Sequence, residues 1–562
     1  MLSAVGAVSA VSPLAANAAA LAVEAKKSAL PPSAHTAASS SHTLTRQGTY
    51  QDNLFTKIGI RPIINAHGTY TIISGSCSLP QVKQAMYEAS FYFVQMDEMM
   101  EGIGAELGRL TGAEWGIATN GCCAAISVAT MACIAGTDIE KALALPYIKK
   151  TKDQVVIPRG SRNQYDIGVR QTGVEIVDAA TPEELRAKLT DRVAMIYILS
   201  GPSTTAPGPM SIASICAIAK EKGVPVFVDA AAEEPNKPNI HLQAGASLVG
   251  YSGGKCMRGP QSSGLLIGDK SLCKAAYFQA APHHCYGRPL KCSKEEAMGI
   301  LAAVREWYNR DHEAEQAEWL SWMQQIGDQV KGLPSVNITV IPAKALSDPT
   351  VDLSNRCPEL HIAWDPNKLG ITGTELAAKL DAGTPRIVLD SSRGQRPLTP
   401  NATSQIGVVS YMMEPGDVKI VGDAIYEALT KPGHYEDPVV PTGTQASVAG
   451  KWAVTVHYLR GTGAQQFDLI QNGSAITGAH TGEIFSGSFG GGGGGRGGGG
   501  GAGGRGGGGS SVQGNQVTLS SSMTIPGNPL RFLFKGTVQG DTMSGTVNMG
   551  EYGEATWSAV RA

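Results

Sequence analysis

Between Tyr50 and about Leu290, short apolar runs alternate with longer stretches whose apolar residues recur every three or four positions. Pro80 opens a long apolar segment, Val82 to Leu110, stopped by Gly112; Trp115 to Thr119 then reads as a strand and Cys122 to Ala135 as a helix ended by Gly136. Val155 to Pro158 and Val174 to Val177 are short β-branched runs, read as strands. Thr181-Pro182-Glu183-Glu184 is a capping box with proline at the first helical position, so a helix follows it. Ala194 to Leu199 predicts a strand. Ser211 to Lys222 predicts a helix with Ile212, Ile215, Cys216 and Ala219 on one face, and Val224 to Val228 another strand. Strands separated by helices predict a mainly parallel sheet covered on both faces, and such sheets bind ligands beyond the carboxyl ends of their strands.

Beyond Pro438 the period shortens to two. Lys451 to Tyr458, Phe467 to Gln471, Val517 to Ser520, Leu530 to Phe534 and Asp541 to Val547 alternate apolar with polar residues and are separated by Asn-Gly and Gln-Gly turns. They predict a separate all-β unit, a small barrel or sandwich. A tract from Gly490 to Gly509, interrupted only by Arg496, Ala502 and Arg505, reads as a flexible hairpin loop within it. This unit carries no cofactor motif. It reads as a stabilising or oligomer-contacting accessory, separable from any chemistry upstream of Pro438 and Pro441.

Composition removes several classes of function. With 42% hydrophobic and 17% charged residues, the chain has a globular balance, which excludes a fibre or wholesale disorder. No apolar run reaches the ~18 residues of a membrane span. The formal charge of -2 and the lack of a basic cluster predict no nucleic-acid partner. Ten cysteines without a CxxC pair make neither a disulfide framework nor a zinc spacing, so buried free thiols are expected. His283-His284-Cys285 has no second cluster to complete a metal site, and none is predicted. The Ala/Ser-rich start, with Ala16-Asn17-Ala18-Ala19, lacks the basic region of a secretory signal. An export signal and a low-complexity tail over residues 1–49 both stay open, and with them an exported or a cytoplasmic protein.

Two strand ends carry candidate chemistry. Val224-Pro-Val-Phe-Val runs into Asp229, and Tyr251-Ser252-Gly253-Gly254-Lys255 brings a lysine 26 positions later. Pyridoxal phosphate needs that pair, a carboxylate beside the pyridine nitrogen and a lysine to form the Schiff base. Upstream, Thr119-Asn120-Gly121-Cys122-Cys123-Ala124 joins a strand to a helix through small residues, so its amides can face an anion with the helix dipole behind them. A phosphate cup, then an acid, then a lysine is the order such an enzyme requires.

These residues resemble a known family. Gly59-Ile-Arg-Pro-Ile-Ile-Asn-Ala-His-Gly-Thr69, Leu110-Thr-Gly-Ala-Glu114, Val224 to Glu233, Ser252-Gly-Gly-Lys255 and Gly259-Pro-Gln-Ser-Ser-Gly-Leu-Leu266 are similar to the selenocysteine-synthase-like branch of fold-type-I pyridoxal phosphate enzymes. The D-glucosaminate-6-phosphate ammonia-lyase group is the nearest likeness, over roughly Asn53 to Lys431. The resemblance implies an α/β fold with a large cofactor domain over residues 50–330 and a small C-terminal domain over 331–437, followed by the all-β domain at 438–562. It also implies a homodimer or larger homo-oligomer with sites completed by a neighbouring subunit. Carried over by residue, it makes Lys255 the Schiff-base lysine, Asp229 the pyridinium partner and Ala231 a small side chain against the ring. Gly121, Cys122 and Cys123 become phosphate-binding amides, with Ser252 adding a hydroxyl and Gln261 lying in a turn near a phosphate. Arg162, Tyr165, Arg288 and Lys291 become contacts for an anionic amino-acid substrate. Apart from the resemblance, Arg386 and Arg393 in the small domain are candidate carboxylate partners or ordinary surface charges. The group usually has His-Arg before Tyr-Asp, where this chain reads Ser161-Arg162-Asn163-Gln164-Tyr165-Asp166. The expected activity is loss of ammonia from a small 2-amino-3-hydroxy acid. Selenium transfer to seryl-tRNA and a non-enzymatic binding protein of the same fold are the alternatives.

Overall fold

The computed structural model describes residues 48–562 apart from 149–151, 347, 349–350, 439–443, 491–508, 524, 526 and 528. The tail or export signal read at the N-terminus lies outside the described residues up to position 47. The large domain is built on a seven-stranded sheet. Its order is Trp115–Thr119, Gly264–Gly268, Leu248–Ser252, Val226–Asp229, Val193–Leu199, Gln154–Pro158 and Glu175–Ala179. Only Gly264–Gly268 runs against its neighbours, so the sheet is mainly parallel, as the pattern predicts. Val193–Leu199 is apolar throughout and buried up to its last residue, the mark of a strand covered on both faces. Gly121–Ala135 is apolar on all sides because it is packed between the sheet and the helix Lys270–Gln279.

The apolar segment expected from Val82 to Leu110 divides into two helices, Pro80–Ala89 and Met96–Thr111. The Gln95 side chain accepts from the Glu98 N–H and restarts the second helix, leaving Phe91, Tyr92 and Phe93 exposed between them. At Gly104 a β-carbon would come within 2.0 Å of the Trp115 ring, so glycine lets this helix lie directly on the edge strand.

A second core holds the small domain. Its antiparallel sheet runs Ser391–Arg393, Ser404–Val409, Glu359–Trp364 and Asn337–Ile341, packed against the helices His312–Val330, Gly373–Ala382 and Asp417–Thr430. Two elements placed in the large domain by the sequence join this core instead. Ile63–Ala66 pairs parallel with Arg386–Leu389 and buries Ile64 and Ala66, and His312–Val330 buries Trp322, Met323, Ile326 and Val330.

The C-terminal unit is a closed antiparallel barrel. Around the ring lie Thr462–Asn472, Gly450–His457, Glu554–Arg561, Thr542–Asn548, Leu530–Gln539, Gln516–Met523, one interrupted strand position, and Ala475–Gly482, which pairs back to Thr462–Asn472. The interrupted position holds Ser486–Phe489 and Ser511–Gln513, each antiparallel to Ala475–Gly482 and to Gln516–Met523. The two pieces therefore run the same way; residues 491–508 of the glycine tract expected as a hairpin loop lie outside the described residues. Trp452, Phe467, Phe534 and Trp557 are buried in its core, and Phe467, Phe489, Phe532 and Phe534 surround a buried His480 that bonds Ser521 Oγ at 2.6 Å and Gln465 Oε1 at 2.8 Å.

Candidate active site

Asp229 is the last residue of Val226–Asp229 and is 1% exposed. One carboxylate oxygen accepts from the Tyr197 hydroxyl at 2.6 Å; the other accepts from the Ala231 N–H at 3.1 Å and the Cys122 thiol at 3.5 Å. Burial pushes the Asp229 carboxyl above the usual carboxylate range, against the Tyr197 bond, the Ala231 amide and the charge of Lys255, which pull it down. Lys255 follows the neighbouring strand, Leu248–Ser252. The Ser252 N–H donates to the Ala231 carbonyl at 3.1 Å, tying the two strand ends together.

Gly121 opens the buried helix with φ +79°, a left-handed backbone suited to glycine, and the first N–H groups of a helix have no partner within it. This helix start lies beside the acid, with the Cys122 thiol on Asp229. Burial raises the Cys122 thiol well above its ordinary value, which keeps it a neutral donor to Asp229. The Asn120 side chain donates to the Lys291 carbonyl at 3.2 Å, bringing the loop of Arg288 and Lys291 to the helix start. Gln261 is exposed and lies against Gly75 and Gly254, next to Lys255.

Arg162 differs from the expectation of a substrate contact. Its guanidinium bonds Asp166 at 2.7 Å and Asp178 at 3.1 Å, so two carboxylates of the chain hold it. Tyr165 is half-exposed; burial and then the nearby Asp229 charge raise its phenol. Arg386 is paired with Asp381 at 2.7 Å and Arg393 is exposed. His283 bonds the Tyr277 carbonyl and pairs with Asp97, while Cys285 packs with Ala135 and Ala142. No group of three or more metal-ligating side chains occurs among the described residues.

The sequence reading missed Tyr197, Asn163 and His67. Tyr197 sits within an apolar strand, where nothing marks it as polar machinery. The Asn163 amide donates to the Tyr197 oxygen at 3.0 Å. His67 lies in a quoted motif but was given no role. Its Nδ1 meets the Asp390 carbonyl at 3.1 Å, its ring stacks on Tyr70 at 4.3 Å, and its buried Nε2 has no hydrogen-bond partner among the described residues.

No family model matches the chain. It is 29% identical over 367 residues to a 5'-C-glycyluridine monooxygenase-decarboxylase of a Streptomyces species, which spans 62% of this chain and 88% of that protein. It is 26% identical over 341 residues to a D-glucosaminate-6-phosphate ammonia lyase of Salmonella typhimurium, spanning 59% and 87%. A solved D-glucosaminate-6-phosphate ammonia-lyase structure matches with a TM-score of 0.58 and 23% identity, over 67% of this chain and 98% of that one. Fold and site together define the class: the chain is a fold-type-I pyridoxal phosphate enzyme. Within that class its sequence resembles the D-glucosaminate-6-phosphate ammonia-lyase group. The residues present fit the cofactor. Asp229 is a buried carboxylate whose hydrogen-bond donors are all neutral, which suits a protonated ring nitrogen, and the small-residue helix start suits its phosphate.

Proposed function

We propose that this enzyme is a lyase that removes ammonia from a small 2-amino-3-hydroxy acid, in the manner of the D-glucosaminate-6-phosphate ammonia-lyase group. The bound cofactor supplies an electron sink for the pair left when the α C–H bond breaks. Asp229 would keep the ring nitrogen protonated, the amides of Gly121, Cys122 and Cys123 with Ser252 would hold the phosphate, and Lys255 would carry the cofactor between turnovers. The Lys255 amine would take the α-proton and return a proton to the departing β-hydroxyl, which would leave as water. The released 2-amino-2-enoate takes up water and gives a 2-keto-3-deoxy acid and ammonia, with no oxidant or reductant consumed. Arg288 and Lys291 are assigned to the substrate's anionic group, since Arg162 is committed to Asp166 and Asp178.

What supports this reading is the meeting of Lys255 and Asp229 at neighbouring strand ends with the Gly121 helix start, whose Cys122 thiol reaches Asp229, together with the likeness to an ammonia lyase. Near-zero net charge gives seryl-tRNA chemistry no comparable support. The similarity to a monooxygenase-decarboxylase favours a second reading, oxidative decarboxylation of an amino acid. Incubation with a panel of 2-amino-3-hydroxy acids tests the choice. Ammonia and keto acid in equal amounts are expected without oxygen uptake; carbon dioxide release coupled to oxygen uptake supports the second reading instead.

A further inference from the structure

The C-terminal barrel meets the segment from Asn163 to Asp166. Its turn between Gln516–Met523 and Leu530–Gln539 carries Gly527, at φ +82°, where a β-carbon would lie 2.5 Å from the Asn163 carbonyl oxygen and 2.8 Å from Asp166 Oδ2. Thr542–Asn548 and Glu554–Arg561 continue the antiparallel succession, so the turn between them, holding Glu551, leaves the same end of the barrel. Glu551 is close enough for its charge to raise the Tyr165 phenol, though less than burial and Asp229 do. Two barrel turns thus converge on the segment from Asn163 to Asp166.

That segment is tied to the acid of the site. Asn163 is 5% exposed; its Oδ1 accepts from the Tyr165 N–H at 2.7 Å, and its amide donates to the Ser161 carbonyl and to the Tyr197 oxygen. A phenol has one proton to give. With a donor from Asn163 on its oxygen, Tyr197 directs that proton to Asp229 Oδ2 at 2.6 Å, and such chained bonds strengthen one another. Asp166 is fully buried, held from two sides by Arg162 and Arg170, so the segment yields little when pressed.

We propose that the barrel is a positioning element of the cofactor site, its Gly527 turn fixing Asn163, which through Tyr197 orients the Asp229 carboxylate toward the ring nitrogen. The proposal rests on the reading of Asp229 as the pyridinium partner. It departs from the expectation of a separable accessory.

The full-length protein tests it with Gly527→Ala against Gly540→Ala. Gly540 is also left-handed, at φ +59°, but has nothing within 4 Å of its β-carbon position, so the two variants share the backbone strain and differ in the contact. Cofactor dissociation by equilibrium dialysis and the pH profile of its visible absorbance are the readouts. Gly527→Ala is expected to weaken retention about tenfold, as for loss of one well-placed hydrogen bond, and to shift the profile, while Gly540→Ala changes neither. Asn163→Asp, which puts an acceptor where Tyr197 needs a donor, should shift the profile in the same way. In a Tyr197→Phe background Gly527→Ala should add nothing. The proposal is overturned if Gly527→Ala matches Gly540→Ala, if Asn163→Asp leaves the profile unchanged, or if the effect of Gly527→Ala persists undiminished without the Tyr197 hydroxyl. A parent protein that retains no cofactor would instead overturn the underlying reading as well.

Discussion

A carboxylate taken out of water favours its neutral form unless a cation meets it, and Asp229 is raised in this way by burial. Between its unfolded and its folded pKa, the cofactor-free folded state therefore holds a proton that the unfolded chain has released. The associated stability is present below the unfolded pKa and falls as pH rises through the folded one. Asp229→Asn removes that penalty, so the cofactor-free variant should gain in unfolding temperature over its parent as pH rises, with the gap closing in acid; calorimetry across the range checks it. The same change should weaken cofactor binding or turnover by roughly a hundredfold or more, because breaking a buried charge pair costs about 3–5 kcal/mol. Near-parental values would assign the ring-nitrogen role to another residue. Arg288→Ala should raise KM about ten- to a hundredfold, for a charged hydrogen bond worth about 1.5–3 kcal/mol, and leave cofactor affinity unchanged; an effect on kcat alone would remove Arg288 from the substrate site. Asp229 and Lys255 were legible because each ends a readable strand. Tyr197 and Asn163 were not, since their roles arise from side chains meeting across 34 positions of sequence.

Elements were legible where burial is local. The alternation of the barrel strands and the apolar runs of the large sheet follow from which face meets the core. Pairing partners are a different matter. Ile63–Ala66 meets Arg386–Leu389 across more than 300 positions, and no periodicity encodes that choice. Likewise, Ser486–Phe489 and Ser511–Gln513 both pair with Ala475–Gly482 and Gln516–Met523, a sharing of one strand position that no periodicity encodes. His480, in the barrel core, has its pKa lowered by burial from 6.5 to about 3. The unfolded chain binds this proton first, so its contribution is intact above about pH 6.5 and is lost progressively as pH falls toward 3. Urea unfolding should show the barrel losing stability through that window. His480→Phe, which cannot protonate, should flatten the slope; an unchanged slope would place the sensitivity elsewhere.

At the scale of the whole molecule, three cores support one site: the large sheet carries the acid, the lysine and the helix start, the small domain anchors the segment bearing His67, and the barrel meets Asn163. The exposed Phe91, Tyr92, Phe93 and Val94 form an apolar stretch that suits burial between copies of this chain. Sedimentation should show a homo-oligomer that Phe93→Asp loosens; a parental monomer at all concentrations would rule out that interface. The most direct measurement is borohydride reduction of the freshly purified protein followed by peptide mapping. The expected result is a cofactor adduct on Lys255 that disappears in Lys255→Ala. An adduct that survives in Lys255→Ala, or no adduct on the parent protein, would contradict the assignment of this site.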